Sequence, residues 1–183
     1  MTIFFAWFLA DFLSGIGHWA QDRLLTGTYR IGFIKQIQAD NDRHHNYPFG
    51  IALITYWDNI SSTAPMTIPL FAIAYFAGAP AVITLALFFL TFSNLIHRWA
   101  HEHPPTVPIV VRLLQRTGVF LSRDHHNLHH YVAGIAIPKD MASRRYCAMS
   151  DWLNPTLDRI KFFTRLERLL GIEQKPTGEN DHG

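Results

Sequence analysis

The sequence predicts an all-α integral membrane protein: about three transmembrane helices, with interfacial and cytoplasmic helices that carry a histidine-rich dimetal site. Charged residues make up only 16% of the 183 residues, whereas soluble domains contain about 25%. Apolar residues gather in two stretches, 1–19 and 66–96, and a spanning helix needs about 20 mostly apolar residues. Eleven histidines are present, and most of them lie beside these stretches or in the segments that follow them.

The first apolar stretch predicts a membrane helix over about residues 2–20. A secretory signal peptide begins with basic residues and has an uninterrupted apolar centre. Here no basic residue precedes the stretch, and Asp11, Ser14 and His18 lie within it. We therefore interpret it as a retained membrane helix.

The second apolar stretch is too long for one crossing. A turn signal, "GAP" at 78–80, lies near its middle. It predicts two helices folded back on each other, over roughly 50–77 and 80–100. Pro65 and Pro69 interrupt the first of them, so its start stays open.

The basic residues predict the orientation. Lys and Arg are absent before Arg23 and between Arg43 and Arg98. Because cytoplasmic loops carry an excess of Lys and Arg, segments 20–50 and 98–183 are expected on the cytoplasmic side. The N-terminus and the "GAP" turn then face the other side.

The remaining segments complete a single domain over residues 1–172. Residues 104–123 predict a helix that lies in the membrane interface. Residues 154–171 predict an amphipathic helix. The polar tail, 173–183, is expected to be disordered.

The histidines predict a site for two metal ions. Pairs spaced by four residues, such as His97 with His101 and His126 with His130, point from one face of a helix. Neutral imidazole is the commonest protein metal ligand, and one ion takes four to six ligands. Nine histidines fall on the predicted cytoplasmic side: His18, His44, His45, His97, His101, His125, His126, His129 and His130. By ligand type alone, iron, copper and zinc all stay open.

Other chemistries are disfavoured. The single Cys147 excludes an intramolecular disulfide and a cysteine-bound cluster. The "HEHPP" at 101–105 is not the HExxH motif of zinc proteases. A net charge of +2 predicts no nucleic-acid partner. His103 and His182 are interpreted as solvated residues.

The motifs resemble those of a known family. "HRWAH" (97–101) and "HNLHH" (126–130) resemble the histidine boxes of membrane fatty-acyl desaturases and hydroxylases. The wider pattern resembles the Kua/CarF lipid desaturases, which include plasmanylethanolamine desaturases and plant enzymes that desaturate the acyl chain of phosphatidylglycerol. It consists of those boxes with "DFLSGIGHWAQD" (11–22), "RHHNYP" (43–48), "LLQRTGVFLSRDHHNLHH" (113–130) and "YCAMSDWLNPTLDRI" (146–160).

This resemblance implies metal ligation by the nine histidines named above. Asp22, four residues after His18, is expected as a tenth ligand or as a partner that orients one, and Asp42 and Asp124 as further orienting carboxylates. Two departures are visible. Asp151 stands where the family often has glycine, and the loop at 31–43 is atypical. Both bear on the substrate rather than on the metal ligands.

The resemblance also implies the reaction: two iron ions and O2 desaturate a lipid. The expected product is the vinyl ether of a plasmanyl phospholipid, as in plasmalogen synthesis. An acyl-chain desaturase or hydroxylase on the same scaffold is one alternative, and a non-catalytic haem- or metal-binding membrane protein is another.

The expected partners are a membrane phospholipid and a separate electron donor, either a ferredoxin or a cytochrome b5-like protein. The metal site is expected on the cytoplasmic face of a bacterial inner membrane or of the endoplasmic reticulum. Arg98, Arg112 and Arg116 are candidates for binding the lipid phosphate, and interfacial anchoring is the alternative role for them.

Overall fold

A computed structural model describes residues 1–25, 30–132, 135–136 and 142–172. The described residues are mainly helical, which confirms the all-α prediction. The helices are α1 (Thr2–Arg23), α2 (Gly32–Asn46), α3 (Tyr56–Phe76), α4 (Ala81–Leu90), α5 (Ser93–His101), α6 (Ile109–Arg116), α7 (Arg123–His130), α8 (Leu153–Arg159) and α9 (Phe162–Leu169), with a 3-10 turn at Pro48–Ala52. A short antiparallel pair, β1 (Tyr131–Val132) and β2 (Ile135–Ala136), follows α7.

Helix α1, helix α3 and the α4–α5 pair form the long bundle. Helix α1 packs along α4 through small buried residues, with Ala6 and Ala10 of α1 in the same core as Ala86. Ring contacts join Trp7 to Phe89 at one level and His18 to His97 at another, so α1 and the α4–α5 pair run in the same direction. The histidine-bearing ends of α1 and α5 therefore meet at one end of the bundle.

The predicted turn at 78–80 is confirmed. Helix α3 ends at Phe76 and α4 begins at Ala81, and Gly78 between them has φ +67°. That left-handed conformation favours glycine because it has no Cβ. The start of α3, left open above, is at Tyr56, where Thr55 and Asp58 form a capping box.

A break separates α4 from α5. The two helices meet at an angle of 44°, and Thr91 lies in the break. Its carbonyl accepts a hydrogen bond from Thr63 Oγ1 of α3 at 2.6 Å, so α3 satisfies a backbone group that the break frees. The kink changes the direction of the chain, so α5 and its histidines lie at the end of the bundle at an angle to α4.

The number of membrane crossings remains a prediction. Among the described residues, α1 is long and apolar enough to cross a membrane, and α4–α5 qualifies as a second span if the bent pair is counted as one. Helix α3, which falls in the middle crossing expected over roughly 50–77, does not meet that test.

Three local expectations were wrong. Residues 31–43, expected as a loop, lie mostly within α2. The interfacial helix expected over 104–123 is confined to Ile109–Arg116, because prolines precede it and Gly118 has φ +72°. The helix expected over 154–171 is two helices, α8 and α9, since Lys161 adopts a left-handed φ of 52° between them. The tail expected to be disordered, 173–183, lies outside the described residues.

Candidate metal centre

Nine of the ten proposed metal ligands converge in two adjacent groups. The five-histidine cluster consists of His44, His97, His101, His126 and His130. The aspartate cluster consists of His18, Asp22, His45 and His129. In each cluster, one ligand atom from every residue lies within 4.8 Å of all the others.

Spacing and helix packing explain the five-histidine cluster. Helix α5 supplies His97 and His101, and α7 supplies His126 and His130. Each pair is four residues apart and therefore projects from one face of its helix. The two helices contact each other, and α2 adds His44 from a third direction.

The ring nitrogens of this cluster point at one another. Nε2 of His126 lies 2.6 Å from that of His97 and 3.0 Å from that of His130. The Nε2 of His101 is 3.1 Å from that of His97, and the Nε2 of His44 is 3.0 Å from that of His130. Each neutral ring nitrogen carries either one proton or one lone pair, so four such contacts cannot all be hydrogen bonds. Two nitrogens bound at right angles to one ion at about 2.1 Å would lie about 3 Å apart, which this geometry fits.

The electrostatics also favour a cation. Burial first, and then the neighbouring imidazoles, hold the pKa of His44, His126 and His130 well below the usual value for histidine. These rings are therefore neutral at pH 7. Their lone pairs are available to a metal ion.

The aspartate cluster is built around a buried carboxylate. Asp22 Oδ1 lies 3.0 Å from His45 Nε2. Its Oδ2 lies 3.3 Å from His129 Nε2 and 3.8 Å from His18 Nε2. Asn41 donates to Oδ1 at 2.8 Å, which fixes the carboxylate; the neighbouring Asp42, expected in an orienting role, is not the residue that makes this contact.

Two backbone carbonyls determine which ring nitrogens face that carboxylate. His18 Nδ1 donates to the carbonyl of Tyr146 at 3.1 Å, and His129 Nδ1 donates to that of Ser143 at 2.6 Å. A carbonyl can only accept, so each Nδ1 carries a proton, and in the neutral ring the lone pair is on Nε2. Both Nε2 atoms and Asp22 Oδ2 are buried without a hydrogen-bond partner. The Nε2 lone pairs and the Asp22 carboxylate repel each other unless a cation lies between them. A carbonyl that accepts from the other ring nitrogen is also the usual orienting partner behind a metal-bound histidine.

The two clusters adjoin each other. The ring centroids of His45 and His130 are 4.6 Å apart, and those of His129 and His130 are 4.8 Å apart. Consecutive histidines thus belong to different clusters: His44 and His45 divide between them, as do His129 and His130. Two ions held here would share one centre.

The segment that carries the Tyr146 carbonyl, residues 146–149, supports the aspartate cluster. Ser14 Oγ of α1 accepts from Ala148 N at 3.1 Å, and Asp11 Oδ1 accepts from Met149 N at 2.9 Å. A Cβ at Gly15 would lie 2.8 Å from Cys147 Sγ, so only glycine allows this close approach. Sequence reasoning missed this support, although small and polar residues spaced along α1 were the available signal.

His125 lies outside both clusters. It is half-buried, its backbone N–H is capped by Ser122 Oγ at 3.3 Å, and Asp151 is among the charges that act on its ring. Asp151, a departure from the family pattern, accepts from Ser122 N at 2.8 Å. The first turn of α7 is therefore held against residue 151, away from the metal centre. Asp124, expected as an orienting carboxylate, is exposed.

The three proposed phosphate-binding arginines differ in their surroundings. Arg98 is buried, and its Nη1 and Nη2 donate to the carbonyls of Ile54 and Ala52 at 2.9 and 2.7 Å. Arg98 thus fastens α5 to the segment before α3. Arg112 is half-buried and Arg116 is exposed, and both lie on α6.

The comparisons agree with the motif resemblance. Residues 7–179 match the model of the lipid desaturase domain. The chain is 30% identical to a protein of Acanthamoeba polyphaga mimivirus named Probable fatty acid desaturase, over 91% of the chain and 80% of that protein. It is 31% identical to plasmanylethanolamine desaturase 1 of Mus musculus, over 93% of the chain and 63% of that protein.

A plant relative is equally similar. The chain is 31% identical to fatty acid desaturase 4, chloroplastic, of Arabidopsis thaliana, over 93% of the chain and 52% of that protein. The chain therefore spans just over half of the plant relative and less than two thirds of the mouse one. No solved structure shows a significant match.

Proposed function

Because this chain belongs to the lipid desaturase family, we propose that it is an O2-dependent membrane desaturase with two iron ions. The predicted family membership is confirmed, and the iron, the O2 and the lipid are the steps beyond it. The observation that carries the proposal is the convergence of eight histidines and Asp22 in two adjacent clusters. Ligand sets rich in imidazole, with a carboxylate and without thiolate, suit iron.

The proposed reaction removes two hydrogen atoms from adjacent carbons. The substrate supplies two electrons and two protons, and a donor protein supplies two further electrons, with two protons from solvent. Together these reduce one O2 to two waters. Bound iron supplies this oxygen chemistry, which side chains alone cannot perform.

The protein's own groups prepare the site. In the five-histidine cluster, burial keeps the imidazoles neutral. In the aspartate cluster, the carbonyls of Tyr146 and Ser143 keep the Nε2 lone pairs of His18 and His129 directed inward, while Asp22 supplies a negative charge. Eight of the nine cluster residues are buried and His44 is half-buried, which would exclude bulk water from the reacting lipid carbon.

In the proposed placement, α1 crosses the membrane and the metal centre lies at its cytoplasmic end. The carbons next to the glycerol oxygen of an ether lipid lie near the headgroup, at that same depth. Helix α6 fits a position in the interface because Ile109, Val110 and Leu113 are exposed. Arg112 and Arg116 of the same helix are the proposed phosphate ligands.

Two classes of lipid are candidates for the substrate. Mouse and Myxococcus xanthus relatives are named plasmanylethanolamine desaturases, and their names support 1-alkyl ether phospholipid with a vinyl ether as product. The Arabidopsis relative, at 31% identity as similar as the mouse one, is named a fatty acid desaturase, which supports an acyl chain. We favour the ether lipid because its reacting carbons match the depth of the metal centre in this placement.

The test uses a host supplied with alkyl-ether phospholipid and a working electron donor. The host expresses the chain, its His129→Ala variant, or neither. Mass spectrometry of acid-labile lipid is expected to show vinyl ether with the parent chain alone. New acyl double bonds without vinyl ether would mean that the substrate is an acyl chain and not the ether chain. Bound metal with no O2-dependent product would favour the non-catalytic alternative.

A further inference from the structure

We propose that the outward face of α9, with the end of α8, is the docking surface for the electron donor, and that this donor is an acidic one-electron carrier protein. The inference rests on the proposed function, because the proposed reduction of O2 is the step that requires two electrons from a donor. We call this surface the α9 face. It consists of the exposed residues Arg159, Ile160, Lys161, Arg165, Arg168, Leu169 and Leu170.

The charge of the α9 face is one-sided. Four of its members are cations, Arg159, Lys161, Arg165 and Arg168. Within residues 159–172 the one acidic residue is Glu167, which is fully buried. Its carboxylate turns inward, 3.0 Å from Arg23 Nε and 3.2 Å from Arg144 Nη2. The outward side therefore presents positive charge that an acidic partner can complement.

Apolar side chains lie among these cations. Leu169 is 84% exposed and Leu170 is 56% exposed. Protein interfaces combine an apolar centre with a polar rim. A patch with both components suits protein docking better than simple solvation.

The inner side of α9 leads directly to the metal centre. The Phe163 ring lies 4.7 Å from that of Tyr146, centroid to centroid. The Tyr146 ring in turn lies 5.3 Å from that of His129 and 5.8 Å from that of His18. Both histidines belong to the aspartate cluster, so one layer of buried side chains separates α9 from it. Because electron transfer slows steeply with distance, a donor on this face has a short route.

Glu167 fixes the position of α9 relative to the aspartate cluster. It accepts from Trp19 Nε1 at 3.3 Å and pairs with Arg23, and both partners belong to α1, which carries His18 and Asp22. It also pairs with Arg144, which adjoins Ser143, whose carbonyl holds His129. Loss of a buried partner of this kind is strongly destabilising, so Glu167 is unsuitable for the test.

The test removes two exposed charges and measures donor affinity. The probe is a soluble plant-type [2Fe–2S] ferredoxin, titrated against the iron-loaded full chain in detergent. Arg165→Gln/Arg168→Gln is expected to raise Kd about tenfold at low salt, with a smaller difference at high salt because exposed charges are screened. Arg30→Gln/Lys35→Gln is the matched control, since it also removes two exposed cations, and it is expected to leave Kd near that of the parent chain. Equal Kd values for the two double variants would overturn the inference.

A second measurement separates this inference from the proposed function. Dithionite with a small mediator reduces the iron without protein docking, and the iron absorbance reports it. Reduction by dithionite at the parent rate, with slower reduction by ferredoxin in Arg165→Gln/Arg168→Gln, supports the α9 face. No absorbance change with either reductant in the parent chain would overturn the proposed function and this inference with it.

An anionic membrane surface is the other class of partner for a basic, apolar face. Flotation with vesicles of phosphatidylglycerol and phosphatidylcholine tests it with the same variants. Loss of vesicle binding in Arg165→Gln/Arg168→Gln, with unchanged ferredoxin affinity, would make the α9 face a lipid contact and overturn the inference. Unchanged vesicle binding with weakened ferredoxin affinity supports it.

Discussion

The two clusters of the candidate metal centre differ in charge and in how their rings are held. The five-histidine cluster contains neutral imidazoles that contact one another, and the Nδ1 atoms of His44, His126 and His130 are buried without a hydrogen-bond partner. The aspartate cluster contains a carboxylate, and carbonyls fix the rings of His18 and His129 from behind. The five-histidine cluster would therefore hold an ion through the number of its imidazoles. The aspartate cluster would hold one through a negative charge and through rings of fixed orientation.

This difference has an energetic consequence. A divalent ion in the five-histidine cluster keeps its full charge in a buried site, which is costly. In the aspartate cluster, Asp22 offsets one unit of that charge, and the fixed tautomers remove the need to reorient rings. We therefore expect the aspartate cluster to bind its ion more tightly but to tolerate the loss of a ligand less well.

The largest effect is expected from His129→Ala. It removes one of the four candidate ligands of the aspartate cluster and frees the Ser143 carbonyl. Bound iron is expected to fall from about two ions to about one per chain, and desaturation by more than the roughly 10–100-fold that loss of an orienting partner costs. Elemental analysis and product analysis measure the two quantities. Parent-like iron content would contradict the assignment of His129.

His44→Ala is expected to have a smaller effect. Four histidines remain in its cluster, which is a sufficient number of ligands for one ion. Iron affinity is expected to fall about tenfold, within the range typical of lost metal-site partners, with full loading restored at excess iron. Titration with iron under anaerobic conditions measures this. A loss as severe as that in His129→Ala would remove the contrast between the clusters.

Gly15→Ala tests the support of the aspartate cluster. The added Cβ would lie 2.8 Å from Cys147 Sγ, and overpacking of this kind typically costs about 1–3 kcal/mol. The displaced segment carries the Tyr146 carbonyl, so the affinity of the aspartate cluster for iron should also fall. Gly17→Ala is the control, because its Cβ meets nothing within 4 Å and a helical alanine is more stable than glycine by about 0.5–1 kcal/mol. Thermal unfolding compares the two, and equal melting temperatures would refute the close-packing argument.

The smallest effect is expected from His125→Ala. Its ring lies outside both clusters, although the motif resemblance implies a ligand there. The iron content should equal that of the parent chain, with a stability change of about 0.5 kcal/mol, as is usual away from cores and networks. Loss of one ion in the elemental analysis would return His125 to the ligand set.

The sequence by itself determined the parts of this protein that depend on neighbours along the chain. The apolar length of α1, the turn at Gly78 and the four-residue spacings on α5 and α7 follow from local periodicity. Local spacing places two side chains on one face of a helix, so the histidine-rich centre could be predicted from its pairs. The same reasoning joined residues 154–171 into one helix, because a left-handed Lys161 leaves no local signature.

Only the tertiary structure decided how the candidate ligands divide between the clusters. His44 and His45 are adjacent in sequence yet belong to different clusters, because each reaches a different set of helices. The hydrogen bond that orients His18 comes from Tyr146, 128 residues away, and Arg98 is bound to carbonyls 44 and 46 residues away. Such contacts depend on how helices pack at the end of the bundle, and the periodicity of a single helix carries no information about them.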